Sequence, residues 1–452
     1  MTPVNGSGLA AVVLAGGLGT RMRSETPKHI HPLLGRRLVD WVAEAARSLD
    51  PDRLVVVTAP AQAGSFDGLE VAIQEEPLGT GDAVIAARRS LDGHQGDVLV
   101  LAGDAPLLRP ETLHGLLEAH RSSDAAATLL TFTREDPGGY GRIVRGDDGA
   151  IRAIVEATDL SAEEKTITEL NSSIYVFDAE QLWPALERID PANAQGELYL
   201  TDAVRLLVEN GARVSAYAAE PGEAEGVNTR VELAAAAAAL RDRINEEHML
   251  AGVTIVDPAS TWIEPAVELE PDATIHPFTV LRGNTRVARG AEIGPHVVAV
   301  DAVIGPRVLV GPFCYLRPGT VLEEGAKAGT FVEMKNSRVG PRTKVPHLSY
   351  LGDAEIGAGT NIAAGNITVN FPHEPGRPKS RTTIGDNVRT GVQNAFVAPV
   401  EIGEGAWIAA GSVITKDVPP GALAVARARQ ENKEGYAARG DGKTEGTKDA
   451  DD

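Results

Sequence analysis

The feature that most constrains the fold is an apolar residue that returns at every sixth position in the second half of the chain. The positions in phase are Leu269, Ile275, Leu281, Val287 and Ile293, then Ile304, Val310, Leu316 and Leu322, and later Phe396, Ile402, Ile408 and Ile414. A period of six is neither the helical repeat nor the alternation of a strand. It predicts hexapeptide repeats, each forming one side of a triangular coil, with about nine or ten turns over 253–425. A chance coincidence of apolar spacing is the alternative, and the number of repeats argues against it.

Residues 9–230 follow a different pattern, in which apolar strands alternate with helices. The expected strands are Val12–Leu14, Leu54–Val57, Val98–Leu101 and Ala127–Phe132, and the expected helices are Leu38–Leu49, Ala83–Leu91 and Glu111–His120. This alternation predicts a Rossmann-like α/β domain, a mostly parallel sheet with helices on both faces. Ligands of such sheets bind at the carboxyl ends of the strands. Gly16–Arg21 and Gly103–Asp104 both follow a strand, so we expect them to share one crevice.

An Ala-rich helical segment separates the two patterns. We therefore expect a first domain over 1–230, a linker helix over 231–251 and a repeat domain over 252–452. From about 437 the chain is polar and acidic, which predicts a disordered tail.

Composition excludes some function classes. The 452 residues carry a formal net charge of −20, which disfavours a general role at nucleic acids or membrane surfaces. Anionic substrates then need a local basic pocket. The single cysteine, Cys314, excludes an intrachain disulfide and lies in an apolar run, as a small buried apolar residue does. Residues 1–8 show no secretory signal, and the apolar run Leu233–Leu240 is too short to span a bilayer. We expect a soluble cytoplasmic protein.

A glycine-rich loop with two basic residues follows the first strand. The segment reads Leu14-Ala-Gly-Gly-Leu-Gly19-Thr-Arg-Met22, with Pro27-Lys28 just behind it. Its glycines allow backbone N–H groups to point at an anion, and the charges of Arg21 and Lys28 suit a triphosphate. The spacing is neither the dinucleotide fingerprint nor the P-loop. A plain strand-to-helix turn is the alternative, but the loop with its Arg and Lys resembles the opening motif of sugar-phosphate nucleotidyltransferases.

Further segments of the first half supply an amide and oxygen ligands. Gln74–Ala83 combines an amide side chain with close-approach glycines, as recognition of a base edge requires. Asp104 follows an apolar strand, and Asn228 brings a second oxygen. An Asp and an Asn oxygen, with waters and substrate phosphates, are typical of Mg²⁺ coordination. A helix N-cap or turn residue is the alternative for Asp104 alone.

The six-residue rhythm breaks at Phe331–Gly340 and again at His347–Asp353. Functional residues often lie where a regular pattern is interrupted. An imidazole near neutral pKa can take the proton from a substrate ammonium before the nitrogen attacks a thioester. A lone histidine such as His347 is more often structural, and Arg317 and Lys335 could be ordinary solvated charges, although a sugar phosphate would give both a role.

Together these motifs resemble the family of bifunctional N-acetylglucosamine-1-phosphate uridylyltransferases and glucosamine-1-phosphate N-acetyltransferases, over nearly all of 9–436. The resemblance implies that the repeats form a left-handed parallel β-helix, as in hexapeptide acyltransferases. It implies acetylation of glucosamine-1-phosphate by acetyl-CoA, then transfer of UMP from UTP to N-acetylglucosamine-1-phosphate with release of pyrophosphate. Mg²⁺ would assist, and the product would supply peptidoglycan and other envelope polymers.

The resemblance also assigns roles to single residues. The expected UTP and UDP-sugar site comprises Leu14, Ala15, Gly16, Gly17, Arg21, Lys28, Gln74, Gly79, Thr80, Gly103, Gly141, Glu156, Asn171 and Asn228, with Asp104 and Asn228 as metal ligands. Within this set Gly141, Glu156 and Asn171 would hold the N-acetylglucosamine portion, although by their own signals Glu156 and Asn171 read as surface or turn residues. The expected acetyltransferase site has His347 as general base, Arg317, Lys335, Tyr350 and Asn361 on the sugar phosphate, and Ala364, Asn370, Phe371, Ala410 and Arg427 around acetyl-CoA.

The chain departs from the family pattern at three of these places. Ala102 stands where the family often has Tyr before Gly-Asp, Phe371 replaces the usual Tyr after Asn370, and Val392 replaces a Ser near the coenzyme. The closing segment Gln430–Tyr436 resembles the family's Lys-Glu-Gly-Trp tail, which belongs to a site completed by neighbouring subunits and implies a homotrimer.

Two other functions fit parts of the sequence. One is a monofunctional sugar-1-phosphate nucleotidyltransferase with a structural β-helix, and the intact His347, Lys335, Arg317 and Asn361 argue against it. The other is a non-catalytic scaffold that kept the fold, and the presence of Lys28, Asp104 and Asn228 argues against it.

Overall fold

The computed structural model describes residues 8–17, 19–372, 376 and 378–437. The tail expected to be disordered lies almost entirely outside this range. The chain divides into two compact units, Met1–Ile244 and Asn245–Asp452, and the boundary falls inside the helix Arg230–Leu250. Across the described ranges, no helix has both the length and the apolar character needed to cross a bilayer.

The first unit is an α/β structure. Its strands are β1 Leu9–Leu14, β2 Pro32–Leu33, β3 Arg36–Arg37, β4 Arg53–Thr58, β5 Glu70–Ile73, β6 Asp97–Ala102, β7 Ala127–Thr133, β8 Arg142–Arg145, β9 Ile151–Val155, β10 Glu169–Asp178 and β11 Val214–Ala218. Its helices are α1 Leu38–Arg47, α2 Thr80–Ala87, α3 Pro110–Ser123, α4 Ala179–Leu186, α5 Leu200–Glu209 and the start of α6 Arg230–Leu250.

The main sheet is mostly parallel, as the sequence predicted, and β10 is the antiparallel strand within its main strand order. Its order is β11-β7-β10-β6-β1-β4-β5, with β8 and β9 attached to β10. β1 runs parallel to β4 and β6, with Leu14 opposite Val57 and Ala102. β10 runs antiparallel to both β6 and β7. The parallel half therefore aligns the carboxyl ends of β1 and β6, where the glycine-rich loop and Asp104 follow.

The alternating side chains of the strands produce two apolar layers, one on each face of the sheet. Val12 of β1 packs in one layer with residues of α2, α4 and α5. Val13 packs in the other layer with residues of α1 and α3. Burying both faces fixes the strand ends in space, and the loops at those ends are therefore held by a rigid support.

The second unit stacks short parallel strands into coils. The first face holds Thr254–Ile255, Thr274–Ile275, Glu292–Ile293, Leu309–Val310, Lys327–Thr330 and Lys344–His347, and continues in Arg389–Thr390, Trp407–Ile408 and Leu423–Ala424. The second face holds Trp262–Ile263, Val280–Arg282, Val297–Val300, Cys314–Leu316, Glu333–Lys335, Tyr350–Gly352, Ile367–Val369, Ala395–Val397 and Val413–Ile414. The third face holds Glu268–Leu269, Arg286–Val287, Val303–Ile304, Val321–Leu322, Arg338–Val339, Ala354–Ile356, Thr382–Ile384 and Val400–Ile402.

The register of these strands confirms the six-residue period. Ile275 pairs with Ile293 on the first face, and both side chains are buried. Asn361 forms parallel bridges to Lys344 and Arg389, which joins the two parts of the first face. Cys314 is buried, and burial raises the pKa of its thiol to about 11, as expected for a cysteine that acts as a small apolar residue.

Candidate functional site

A cavity of about 620 Å³ opens at the carboxyl ends of β1 and β6 in the first unit. The expected site residues that line it are Leu14, Gly16, Gly17, Arg21, Lys28, Gln74, Gly79, Thr80, Gly103, Asp104 and Asn228. Ala15 is instead fully buried, and its N–H donates to the carbonyl of Val57. The glycine-rich loop and the Asp104 turn therefore share one crevice, as the strand order requires.

The charged centre of the cavity joins three residues that are distant in sequence. The ammonium of Lys28 donates to the carboxylate of Asp104 and, at 3.1 Å, to Oδ1 of Asn228. Arg21 donates to the same amide oxygen at 2.9 Å. Burial alone would raise the pKa of Asp104, but the charge of Lys28 beside it holds this pKa below its usual value. Asp104 is therefore a carboxylate held beside a cation.

This arrangement fits a divalent cation with few protein ligands. Asp104 and Asn228 offer one charged and one neutral oxygen, and both already converge on the ammonium of Lys28. In the part of the chain that the structure describes, no group of three or more His, Cys, Asp or Glu residues could hold a metal. Mg²⁺ accepts such a site because it keeps waters and binds substrate phosphates. Asp104 lies in a turn and does not cap α3, whose N-cap is Arg109.

The segment after β5 forms another wall of the cavity. Gln74 donates from its amide to the carbonyl of Gly79 at 3.0 Å and to Asp82 at 2.9 Å. A Cβ on Gly16 would stand 2.9 Å from Oε1 of Gln74, so a side chain at this position would displace the Gln74 amide. The hydroxyl of Thr80 accepts from the N–H of Leu200. The amide expected to recognise a base is thus held in place by its own segment.

The three residues expected at the sugar do not line the cavity. The N–H of Asn171 donates to the carbonyl of Gly141 at 3.0 Å, and its amide donates to the hydroxyl of Tyr175. Glu156 accepts from the hydroxyl of Thr201 at 3.2 Å, and burial raises the pKa of its carboxyl. Ser172 and Ser173, directly after Asn171, do line the cavity. Asn171 therefore lies next to the cavity wall, and the role of the three expected residues at the sugar stays a prediction.

Sequence reasoning missed some residues of this wall. Tyr140 lines the cavity, accepts at its hydroxyl from the N–H of Gly226 at 3.1 Å, and packs edge-on against Phe132. The only signal was its place beside Gly141. His29 also lines the cavity, and its position next to Lys28 was the only clue.

In the second unit, the turns between the first and second faces form one edge of the β-helix, here named the first corner. Successive coils place Thr330, His347, Ala364, Val392 and Ala410 in one column along it. Backbone hydrogen bonds tie the column together, from Leu348 to Thr330, Gly365 to His347, Gln393 to Ala364 and Gly411 to Val392. Arg427 lies beside the last residues of the column, with its Cδ 4.0 Å from the position that a Cβ on Gly411 would take. His347 and three residues expected at acetyl-CoA therefore follow one edge.

The expected phosphate-binding cations lie on the second face. Arg317 donates to Glu333 at 2.8 Å, and Glu333 pairs with Tyr350 on the next coil. Lys335 pairs with Gly352 on the next coil. The hydroxyl of Tyr350 and the amide nitrogen of Asn370 both lie close to the position that a Cβ on Gly352 would take. The Asn370 amide also donates to Asp353.

Two other expected residues are placed differently. Asn361 lies on the first face, between Lys344 and Arg389, and does not share a face with Arg317. Phe371 is exposed, with the ammonium of Lys379 over its ring.

Comparisons with known proteins agree with this division. Residues 11–213 match the MobA-like NTP transferase domain, and residues 381–416 match the hexapeptide repeat of succinyl-transferase. The chain is 47% identical to the bifunctional protein GlmU of Streptomyces coelicolor, over 95% of this chain and 94% of that protein. It is 45% identical to the proteins of the same name from Corynebacterium aurimucosum, over 95% and 93%, and from Caldanaerobacter subterraneus, over 95% and 97%.

Glu156 generates a pH-dependent prediction. Its pKa is raised in the folded unit, chiefly by burial, so its ionisation at neutral pH opposes folding. Glu156→Gln should therefore increase the free energy of unfolding at pH 7, and the gain should vanish below the ordinary pKa of 4.5. Denaturation at several pH values measures this, with the exposed Glu118→Gln as control. A variant with the wild-type pH profile would contradict a raised pKa at this half-buried carboxyl.

Gly19 tests the close packing of the glycine-rich loop. It has φ +61°, and a Cβ there would stand 2.6 Å from Cβ of Lys28. Gly19→Ala should displace Lys28 and raise the KM for UTP. Gly93→Ala is the matched control, because Gly93 has φ +79° with nothing within 4 Å, and should carry only the conformational cost of about 1–2 kcal/mol. An unchanged KM in Gly19→Ala would show that Lys28 does not serve the nucleotide.

Proposed function

Since the chain belongs to the family of bifunctional GlmU proteins, we infer that it synthesises UDP-N-acetylglucosamine, and we propose which residues serve each reaction. The chain is a uridylyltransferase and an acetyltransferase. It acetylates glucosamine-1-phosphate with acetyl-CoA, then transfers UMP from UTP to N-acetylglucosamine-1-phosphate. The product is a precursor of peptidoglycan and other cell-envelope polymers. We assign the nucleotidyl reaction to the first unit and the acetyl reaction to the second, divided at α6.

The convergence of Lys28, Asp104 and Asn228 is the observation that carries the uridylyl-transfer assignment. An oxygen of the sugar phosphate attacks the α-phosphorus of UTP, and pyrophosphate leaves. Lys28 and Arg21 compensate the negative charge of the phosphates, while the glycine-rich loop presents N–H groups to them. Asp104 and Asn228 would hold Mg²⁺, which supplies further charge neutralisation when bound. Gln74 would contact the uracil edge.

The column along the first corner supports acetyl transfer in the second unit. The sugar nitrogen reaches the enzyme as an ammonium and cannot attack until it loses a proton. We propose that His347, which is exposed at the first corner, acts as the general base that accepts this proton. The freed amine attacks the thioester carbon of acetyl-CoA, and CoA leaves as the thiol. Arg317 and Lys335 would hold the phosphate of the sugar, and Ala364 and Ala410 would border the coenzyme.

The alternative of a monofunctional nucleotidyltransferase is not favoured. The bifunctional relatives match over 95% of the chain, which includes the whole β-helix.

We propose that the protein is a homotrimer and that the first corner lies at the subunit contact. Phe278, His296, Phe313 and Phe331 form a stack along this corner, with ring centroids 4.8, 4.8 and 5.1 Å apart. Phe313 and Phe331 are 47% and 57% exposed, which is unusual for aromatic side chains without a partner. The rings repeat once per coil, so a second copy with the same coil spacing can match every ring. His347 follows the stack along the same edge.

We also propose a cytoplasmic location. Cys314 is a buried free thiol, and UTP and acetyl-CoA are intracellular metabolites.

Asp104→Ala tests the metal role. Loss of the charged oxygen should lower uridylyl transfer by about 10²-fold or more, because a bound metal ion contributes several kcal/mol to phosphoryl transfer. Asn228→Ala should lower uridylyl transfer less than Asp104→Ala does, because a neutral oxygen compensates less of the charge of a metal ion. Pyrophosphate release measures both variants, and CoA release by the same protein is the control. Normal pyrophosphate release from Asp104→Ala would show that Asp104 is not a ligand of the metal.

His347→Ala tests the general base. CoA release should fall by about 10²–10⁴-fold, the range for a positioned acid or base. Uridylyl transfer from N-acetylglucosamine-1-phosphate should stay at the wild-type rate, because that cavity belongs to the first unit. A folded variant with near-native acetyl transfer would leave His347 a structural residue of the repeat.

Phe313→Glu tests the subunit contact. A charge placed within the aromatic stack should disfavour burial against a second copy, so sedimentation should show a smaller species, with reduced acetyl transfer. Val303→Glu is the matched control, because Val303 is similarly exposed, at 43%, but lies on the third face. The proposal would be contradicted by a Phe313→Glu protein that sediments like the wild type, or by equal dissociation of the control.

A further inference from the structure

A histidine beneath the glycine-rich loop faces the nucleotide cavity but has no role in the scheme above. His29 is only 4% exposed and still lines the cavity. Its Cε1 lies 3.7 Å from the place of a Cβ on Gly17, and its Cδ2 lies 3.2 Å from that of a Cβ on Gly103. Because Nε2 is bonded to both carbons, this edge of the ring points at the gap between the two glycines.

The opposite nitrogen of His29 has no partner. Nδ1 is buried and has no hydrogen-bond partner within the described residues. Burial, assisted by the charge of Lys28 and opposed by Asp104, lowers the pKa of His29 to about 4, so the ring is neutral and carries one proton. A buried N–H without an acceptor is costly. The proton is therefore better placed on Nε2, where the cavity can supply an acceptor.

We propose that Nε2 of His29 donates a hydrogen bond to a phosphate oxygen of UTP bound in this cavity. Lys28 and Asp104 form an ion pair beside His29. A neutral donor can therefore contact a phosphate oxygen without changing the net charge of the site. Gly17 and Gly103 carry no side chain that could cover the ring edge, so an oxygen in the loop can approach it. The inference rests on the proposed uridylyl-transfer site, and it adds to that site a neutral donor that orients the phosphates.

The test compares UTP with uridine, which lacks the phosphates, by calorimetric titration of the full-length protein. His29→Phe keeps an aromatic ring but removes the donor, and should weaken UTP binding about 10-fold, the value for a hydrogen bond to a charged group. Uridine binding should not change. His31→Phe is the matched control, because His31 is equally buried, lies two residues away and does not line the cavity. It should bind UTP as the wild type does.

A second pair of variants repeats the test without an aromatic ring. The amide nitrogen of His29→Gln can reach the position of Nε2 and should keep UTP affinity within about threefold of the wild type, whereas that of His29→Asn matches Nδ1 and should lose the affinity. The inference would be overturned if His29→Phe weakened the binding of UTP and of uridine equally. It would also be overturned if His29→Phe or His29→Asn bound UTP with wild-type affinity. A wild-type protein that released no pyrophosphate would instead contradict the uridylyl-transfer site itself.

Discussion

Parallel pairing of backbone strands determines where the candidate functional side chains of both units lie. In the first unit, Leu14 of β1 pairs with Ala102 of β6, so the loops that follow these strands begin side by side. In the second unit, the same kind of pairing repeats once per coil and places His347 directly above Ala364. Neither arrangement depends on the functional residues themselves. The backbone ladders hold the sites, and the side chains at strand ends and corners define their chemistry.

Anionic substrates impose the second requirement on a chain with a net charge of −20. Three of the cations proposed to bind phosphate, Arg21, Lys28 and Arg317, each contact an acidic or amide side chain. Lys28 contacts Asp104 and Asn228, and Arg317 contacts Glu333. These partners keep the cations oriented before substrate arrives, which reduces the reorganisation needed on binding. In the first unit the same partners are suited to share a metal ion.

The sequence was most informative where a local pattern is repeated or where backbone geometry restricts the residue. The six-residue period predicted the coil register, and the glycine-rich loop predicted one wall of the cavity. The direction of β10 was not predictable, because an apolar run looks the same in parallel and antiparallel strands. The burial of His29 depends on packing against Gly17 and Gly103, which lie on two different loops. The placement of Asn361 on the first face follows from the phase of its coil, which the interrupted rhythm obscured.

The proposed function requires independence of the two sites, each of which carries out one of two consecutive reactions. It is tested most directly by mixing purified Asp104→Ala and His347→Ala proteins with glucosamine-1-phosphate, acetyl-CoA and UTP, and measuring UDP-N-acetylglucosamine. Each variant alone should form the product about 10²-fold or more slowly than the wild type, because one of its two steps is impaired. The mixture should form it, since N-acetylglucosamine-1-phosphate made by the first variant can diffuse to the second. Product at the wild-type rate from either variant alone would contradict this, as would a mixture no faster than the single variants although each variant retains its other half-reaction.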